Sequence, residues 1–252
     1  MSSNYRMIFD YHTHTPYSHG KGTVEDNVRE AVRKGLREVA ISDHGPGHLT
    51  YGVKRSDFPK MRREIDAVQA KYPEIKIWMS VEANTVFGTE NGLDVTPEEF
   101  ALFDFVIAGY HYGVRNGFCV ANWLHRHGIG DTAGRTQALM VRNTDIIVNA
   151  VMNNDIRILT HPGDKAPFDM AEIAKACAAK GTWMEISTHH PHLTTEEIRI
   201  AAKEDVKFVI SSDAHVPERV GTFEGGLARA REAGLDLSRI VNIEEAVEPE
   251  GM

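Results

Sequence analysis

Short apolar runs alternate along the chain with segments whose apolar residues recur at helical spacing. We interpret each run as a buried strand. They predict seven strands within residues 7–13, 38–44, 75–82, 103–111, 156–161, 182–187 and 207–215. Strands separated by helices are typical of a parallel sheet in which right-handed crossovers join neighbours. The pattern therefore predicts an α/β protein with a barrel of the (β/α)7 type.

Several segments between the strands begin at residues that typically cap helices. Thr23 with Asp26 and Thr194 with Glu197 have the spacing of a capping box, and Asp169 precedes another apolar stripe. These signals predict crossover helices between neighbouring strands.

Residues 112–131 differ from the other connections, because they are rich in glycine and aromatic residues and show no clear period. We expect a long loop that acts as a lid at the end of the fourth strand. In that role Phe118 and Trp123 would pack on the leaving group of a substrate.

The composition fits a single domain over residues 1–252, of which 42% are hydrophobic. A formal net charge of −8 without a long Lys/Arg cluster argues against nucleic-acid binding. The two cysteines have neither disulfide nor metal-motif spacing. We expect a cytoplasmic protein, since we find no signal peptide and no apolar run long enough to span a bilayer. The oligomeric state is not predicted.

Most of the predicted strands end in polar residues that can bind metal ions. Six of the seven end in His, Asp or Glu, and the sixth is followed by His189 and His190. The carboxyl ends of barrel strands meet at one face, where the chemistry of such folds is located. Clustered imidazoles and carboxylates at that face predict a metal site.

The first strand carries the densest group of such residues. On an extended strand, Asp10, His12 and His14 would share a face. A loop follows, and Gly20 allows it a sharp path, so that His19 can return to the same face.

These segments together resemble the motifs of the polymerase and histidinol phosphatase (PHP) superfamily. The matching motifs are Asp-Tyr-His12-Thr-His14, Ser-Asp-His44-Gly, the strand that ends at Glu82, Thr-His161-Pro and Ser-Ser-Asp213-Ala-His215. The resemblance covers almost the whole chain and implies a distorted (β/α)7 barrel with a trinuclear centre of Zn, Mn or Fe. Carried over by position, it implies one ion at His12, His14, Glu82 and Asp213, a second at Glu82, His111 and His161, and a third at His19, His44 and His215.

This set of donors indicates phosphate chemistry. Nitrogen and oxygen ligands without a thiolate suit Zn, Mn or Fe. Metal ions lower the pKa of bound water, and a cluster of them can hold the attacking and the leaving oxygens of a phosphate. We expect hydrolysis of small phosphomonoesters, as in histidinol phosphatases, by a metal-bound hydroxide held by Glu82 and Asp213. The partner would be a small phosphorylated metabolite.

Other residues near the predicted strand ends are weaker candidates. Lys165 and Arg219 are candidates for phosphate binding. Asp10 and Asp43 are candidates for orienting imidazoles. We expect His189 and His190 to be exposed loop residues, since loops at a barrel rim are usually solvated. The sixth strand ends in Glu-Ile-Ser187 where the family commonly has Glu-Ile-Asn, so the family's asparagine has no counterpart at this position.

The same residues are compatible with three other functions. Amidohydrolases also place His-x-His on the first barrel strand, but here the fourth strand ends in His111 instead of a lysine, and Asp213 is followed by His215. A phosphodiesterase acting on nucleotides would use the same metal ligands. A protein that only buffers metal would bind ions without turnover.

Overall fold

The computed structural model describes residues 5–115 and 118–246, which begin with the short strand β1 (Tyr5–Met7). One parallel sheet then contains β2 (Phe9–Thr13), β3 (Glu38–Ile41) and β4 (Lys76–Met79). A second parallel sheet contains β5 (Glu82–Asn84), β6 (Val106–Gly109), β7 (Ile156–Leu159), β8 (Trp183–Ser187) and β9 (Phe208–Ser211). Because β4 and β5 are two halves of one predicted strand, all the predicted strand positions are confirmed.

Backbone hydrogen bonds join the two sheets at both edges. At one edge, the amide of Gly45 donates to the carbonyl of Glu82 at 2.7 Å. At the other edge, the amide of His14 donates to the carbonyl of Ala214 at 2.9 Å. The strands therefore form the distorted (β/α)7 barrel that the sequence predicts.

Helices connect the strands as the capping signals predict. They are α1 (Val24–Arg33), α2 (Phe58–Lys71), α3 (Cys119–Arg126), α4 (Ala133–Asn153), α5 (Met170–Lys180), α6 (Thr195–Ala201) and α7 (Glu224–Ala233). Short 3₁₀ helices span Arg55–Asp57, Pro97–Leu102, Pro217–Arg219 and Leu237–Arg239. Both predicted capping boxes are present, at Thr23 with Asp26 and at Thr194 with Glu197. None of the helices in the described ranges has the length and apolar character needed to cross a bilayer.

Two features differ from the sequence prediction. Residues 112–131 are not a continuous loop, because α3 lies within them; residues 116 and 117 lie outside the described part. Because α3 spans only about two turns, it contains too few apolar residues to show a helical period in the sequence. In addition, β1 pairs antiparallel with the strand β10 (Ile243–Glu245), which lies beyond the seven predicted strands.

A layer of apolar side chains fills the barrel below the polar strand ends. It consists of Phe9, Tyr11, Ala40, Ile107, Ile158 and Val209, which belong to β2, β3, β6, β7 and β9. Each of these residues precedes a predicted metal ligand on its own strand or on the loop that follows it. The apolar layer therefore supports a polar rim at the carboxyl ends of the strands.

Candidate metal centre

Glu82 is the residue around which the predicted ligands gather. Its side chain is fully buried at the start of β5. Four histidines from different strand ends place a ring nitrogen close to its carboxylate. The distances from Oε1 are 3.0 Å to His161 Nε2, 3.3 Å to His12 Nε2 and 3.3 Å to His111 Nε2, and Oε2 lies 2.8 Å from His44 Nδ1. A single carboxylate thus contacts imidazoles from across the barrel mouth.

Asp213 extends this cluster from the end of β9. Its Oδ1 lies 3.1 Å from His14 Nε2 and 3.6 Å from His12 Nε2. Both Asp213 and His161 have positive φ angles, of 48° and 29°, which non-glycine residues rarely adopt. Strained backbone of this kind is typical of residues whose side chains are held for function.

His19 and His215 complete the predicted set. Their ring centroids are 4.1 Å apart, and the His14 ring lies 4.3 Å from that of His215. The loop after β2 brings His19 back to the mouth, as expected, and stacks its ring on Tyr51 at 4.3 Å. The structure therefore brings all nine predicted ligands into one cluster.

The unpaired buried atoms of this cluster fit metal ions. Within the nine predicted ligands, several buried ring nitrogens and one carboxylate oxygen have no hydrogen-bond partner among the described residues. They are His12 Nε2, His14 Nδ1, His19 Nδ1, His44 Nδ1, His111 Nε2, His161 Nδ1 and Glu82 Oε2. A buried polar atom without a partner costs about 1–3 kcal/mol, so a cluster of them is costly unless something binds it. Cations are the ligands that this set of donors suits.

The electrostatics of the cluster also suit metal binding. Burial lowers the pKa of His14 and His111 well below the usual range, and burial with His215 and His44 lowers that of His19 to about 3. Burial opposes the ionisation of Glu82, but the neighbouring histidines hold its pKa well below the usual value. Burial opposes the charged form of His12, but the carboxylates of Glu82, Glu185 and Asp213 hold its pKa well above the usual range. Neutral imidazoles and ionised carboxylates are the protonation states that ligate metal ions, so His12 would lose a proton on binding one.

Two residues that the sequence analysis did not single out orient these imidazoles. Glu185 Oε1 lies 2.7 Å from His12 Nδ1, and Asn84 Oδ1 lies 2.9 Å from His111 Nδ1. Glu185 also accepts a hydrogen bond from the backbone amide of His161 at 2.7 Å. The available signal was a carboxylate within the apolar strand Trp183–Ser187, since such a group is buried only when it has partners.

Asp10 and Asp43 do not orient imidazoles through hydrogen bonds to the rings. Asp10 accepts hydrogen bonds from the backbone amides of Gly221 and Ser212. Asp43 accepts from the amide of Thr15 at 2.7 Å and from nearby hydroxyls. Burial raises the pKa of both carboxyls. Their role is to fix the loops that lead to the histidines.

The cluster forms the floor of a cavity of about 350 Å³. Tyr51, Tyr112 and Gly113 form part of its wall, and Lys165 is the one lysine or arginine among the described residues that line it. Lys165 Nζ lies 2.8 Å from Asp164 Oδ2. Arg219 does not line the cavity, because its guanidinium donates to the carbonyl of Thr188 at 3.0 Å.

The aromatic residues expected to cover a leaving group lie elsewhere. The Phe118 ring packs 5.9 Å from that of Phe87, and the Trp123 ring packs 4.5 Å from that of His127. Neither residue lines the cavity. Phe118 thus packs on Phe87, which lies outside the segment 112–131, whereas the exposed Trp123 packs on His127 within it.

His190 is closer to the cluster than an exposed loop residue would be. Its side chain is 21% exposed, and its Nε2 lies 3.2 Å from Asp213 Oδ2. His189 is exposed, as expected, although its ring lies 5.2 Å from that of His215. Both residues line the cavity.

Comparison with known proteins assigns the family. A model of the PHP domain matches residues 10–189. The chain belongs to the PHP family. A relative named a probable phosphatase, from Thermoanaerobacter sp. strain X514, is 30% identical over 94% of this chain and 91% of its own length. Another probable phosphatase, from Proteus mirabilis, is 26% identical over 92% of this chain and 89% of its own.

A solved structure supports the fold of this PHP protein. Histidinol phosphate phosphatase from Lactococcus lactis, complexed with Zn, L-histidinol and phosphate, has a TM-score of 0.60 and 18% identity, covering 91% of this chain and 94% of that one. At that identity the likeness is one of fold alone. The family match and the buried ligand cluster identify the PHP chain as a metal-dependent phosphoesterase.

Proposed function

We propose that this PHP protein hydrolyses small phosphomonoesters at a centre of three divalent metal ions, Zn, Mn or Fe. Three of the five overlapping ligand groups among the described residues consist wholly of predicted ligands and support this proposal. In each group, the donor atoms lie within 4.8 Å of one another. The groups are His12, His14 and Glu82; His44, Glu82 and His111; and His14, His44 and His215.

The shape of the site favours a small substrate. A cavity of about 350 Å³ is at the lower end of the range for small-molecule pockets. Lys165 provides one positive charge at its wall, within reach of a phosphate bound at the floor. Tyr112 fixes this part of the wall, because its hydroxyl donates to the carbonyl of Lys165 at 2.6 Å.

Charge favours monoesters over the alternative substrates. When bound, the ions supply concentrated positive charge and activate water for attack on phosphorus. A monoester with two negative charges gains more from that charge than a diester with one or a neutral amide. The chain's own residues then hold the phosphate and restrict solvent at the cavity wall. These differences distinguish the phosphatase from a nucleotide phosphodiesterase and from an amidohydrolase.

The experiment compares kcat/KM for matched monoester, diester and amide substrates after reconstitution with Zn, Mn or Fe. We expect the monoester to be preferred and a panel of phosphorylated metabolites to identify the leaving group. Preference for the diester or the amide would contradict the proposal. Metal uptake without turnover of any substrate would instead indicate a metal-buffering protein.

A further inference from the structure

His190 has an oxygen close to each of its ring nitrogens, as two of the predicted ligands do. In His12 and His111, Nδ1 lies 2.7 Å and 2.9 Å from an oxygen outside the cluster, while Nε2 lies 3.3 Å from Glu82. In His190, Nδ1 lies 3.2 Å from Asp164 Oδ2, a contact without hydrogen-bond geometry, and Nε2 lies 3.2 Å from Asp213 Oδ2. A histidine with a carboxylate beside one ring nitrogen, and with the other nitrogen facing a ligand cluster, is placed as metal ligands usually are.

Hydrogen bonds from side chains fix the backbone around His190. The hydroxyl of Ser187 accepts hydrogen bonds from the amides of His189 and His190 at 3.2 and 3.1 Å. The guanidinium of Arg229 donates to the carbonyls of Ser187 and His190. This turn begins at Ser187, the position at the end of β8 where the PHP family commonly has asparagine. The turn therefore presents His190 to the cluster, while the side chain of His189 is left exposed.

Asp164 connects His190 to the loop that carries His161. The Asp164 side chain is 6% exposed, and its amide donates to the carbonyl of His161 at 3.1 Å. The same carboxylate is paired with Lys165 at 2.8 Å. An ionised, buried carboxylate at this point favours the orientation of the His190 ring in which Nδ1 faces it.

We propose that His190 is an additional metal ligand, which binds through Nε2 an ion that it shares with His161 and Asp213. The donor atoms of these three residues lie within 4.8 Å of one another. The His161 ring lies between two others, with its centroid 5.0 Å from that of His111 and 4.8 Å from that of His190. His190 thus extends the coordination of the ion at His161. This inference rests on the proposed metal centre.

The test is Co²⁺ binding by the full-length chain, measured by chelator competition and by visible absorption, which reports the coordination of the ion. In His190→Ala we expect one ion to bind at least roughly tenfold more weakly, with an altered spectrum. His192→Ala is the matched control, because it removes an imidazole of similar exposure that contacts a carboxylate, Glu197, but does not line the cavity; its binding and spectrum should equal those of the wild type. Asp164→Asn should lower the affinity for the same ion by roughly 10- to 100-fold.

The outcomes separate this inference from the proposed function. Wild-type protein that takes up no Co²⁺ would overturn both. Wild-type protein that binds Co²⁺ while His190→Ala binds it with the same affinity and spectrum would overturn only the role of His190. If circular dichroism shows that His190→Ala does not fold, Asp164→Asn decides, since it preserves side-chain volume; wild-type affinity in that variant would overturn the inference.

Discussion

Nδ1 of His44 lies 2.8 Å from Oε2 of Glu82, yet neither atom has a hydrogen-bond partner among the described residues. Two polar atoms this close, buried and not hydrogen-bonded to each other, face a common position that a cation would occupy. Since the other oxygen of Glu82 faces three further histidines, the carboxylate has the geometry of a bridge between ions. The first prediction tests that bridge.

Glu82→Gln should reduce both metal content and turnover. The substitution keeps the shape of the side chain but removes the negative charge between neighbouring cations. We expect fewer ions per chain by elemental analysis and a fall in kcat/KM of at least ~100-fold, since even residues that only orient ligands contribute 10- to 100-fold. Glu196→Gln, at a side chain that is 72% exposed, is the control. Full metal content with near-normal turnover would show that Glu82 does not bridge.

Glu185→Gln should weaken metal binding without removing a ligand. The carboxylate of Glu185 orients His12 and also accepts from the amide of His161, so its loss affects two strand ends. We expect affinity for one or more ions to fall by roughly 10- to 100-fold in chelator competition. Glu172→Gln, at a side chain that is 55% exposed on α5, should leave the affinity unchanged. Equal affinities in the two variants would contradict the role of Glu185.

Lys165→Met should raise KM for a phosphomonoester. A charge-assisted hydrogen bond contributes about 1.5–3 kcal/mol, so kcat/KM should fall by roughly 10- to 100-fold. Lys175→Met, at a side chain that is 53% exposed on α5, should behave like the wild type. Arg219→Met should have a smaller effect on KM than Lys165→Met, because Arg219 does not line the cavity. An equal or larger increase in KM for Arg219→Met would contradict the assignment of phosphate binding to Lys165.

The segment 112–131 should contribute through α3 and not through its aromatic rings. Arg126 on α3 approaches Asp164 Oδ1 at 3.8 Å, beside Lys165. We expect replacement of residues 116–127 by a Gly-Ser linker to lower kcat/KM for a monoester roughly tenfold, because this side of the cavity is opened to water. Trp123→Ala should stay near wild-type activity. Unchanged kinetics in the linker variant would show that the segment does not act as a lid, and the proposed metal chemistry would stand.

Asn242→Ala should destabilise the barrel. The buried Asn242 side chain accepts from the amide of Ile210 at 3.0 Å and donates to the carbonyl of Phe9 at 2.9 Å, which connects β9 to β2. Loss of these bonds leaves buried backbone groups unpaired, so the free energy of unfolding should fall by about 3 kcal/mol in urea. Asn153→Ala, on the surface of α4, should change it by less than ~0.5 kcal/mol. Similar free energies of unfolding for the two variants would show that Asn242 does not stabilise the contact between β9 and β2.

Much of this fold could be predicted because its signals are local. An apolar run defines a strand, a threonine with a carboxylate three residues later defines a helix start, and histidines at strand ends are brought together by the parallel topology. Residues such as Asn84, Asp164 and Glu185 act through partners 24 to 173 positions away, and no local pattern marks such pairs. His190 was assigned to the surface for the same reason, since its burial depends on Asp164 and Arg229.

Because a single carboxylate contacts histidines from several ligand groups, the ions of the proposed centre would not bind independently. The first ion to bind would restrict the orientation of Glu82 and so favour the neighbouring position, while repulsion between adjacent cations would oppose the next ion. Each occupied position therefore changes the affinity of the others, and by thermodynamic linkage the change is reciprocal. A metal titration of this protein should follow a coupled binding curve, in which the loss of one ion by dilution or chelation shifts the affinity of those that are left.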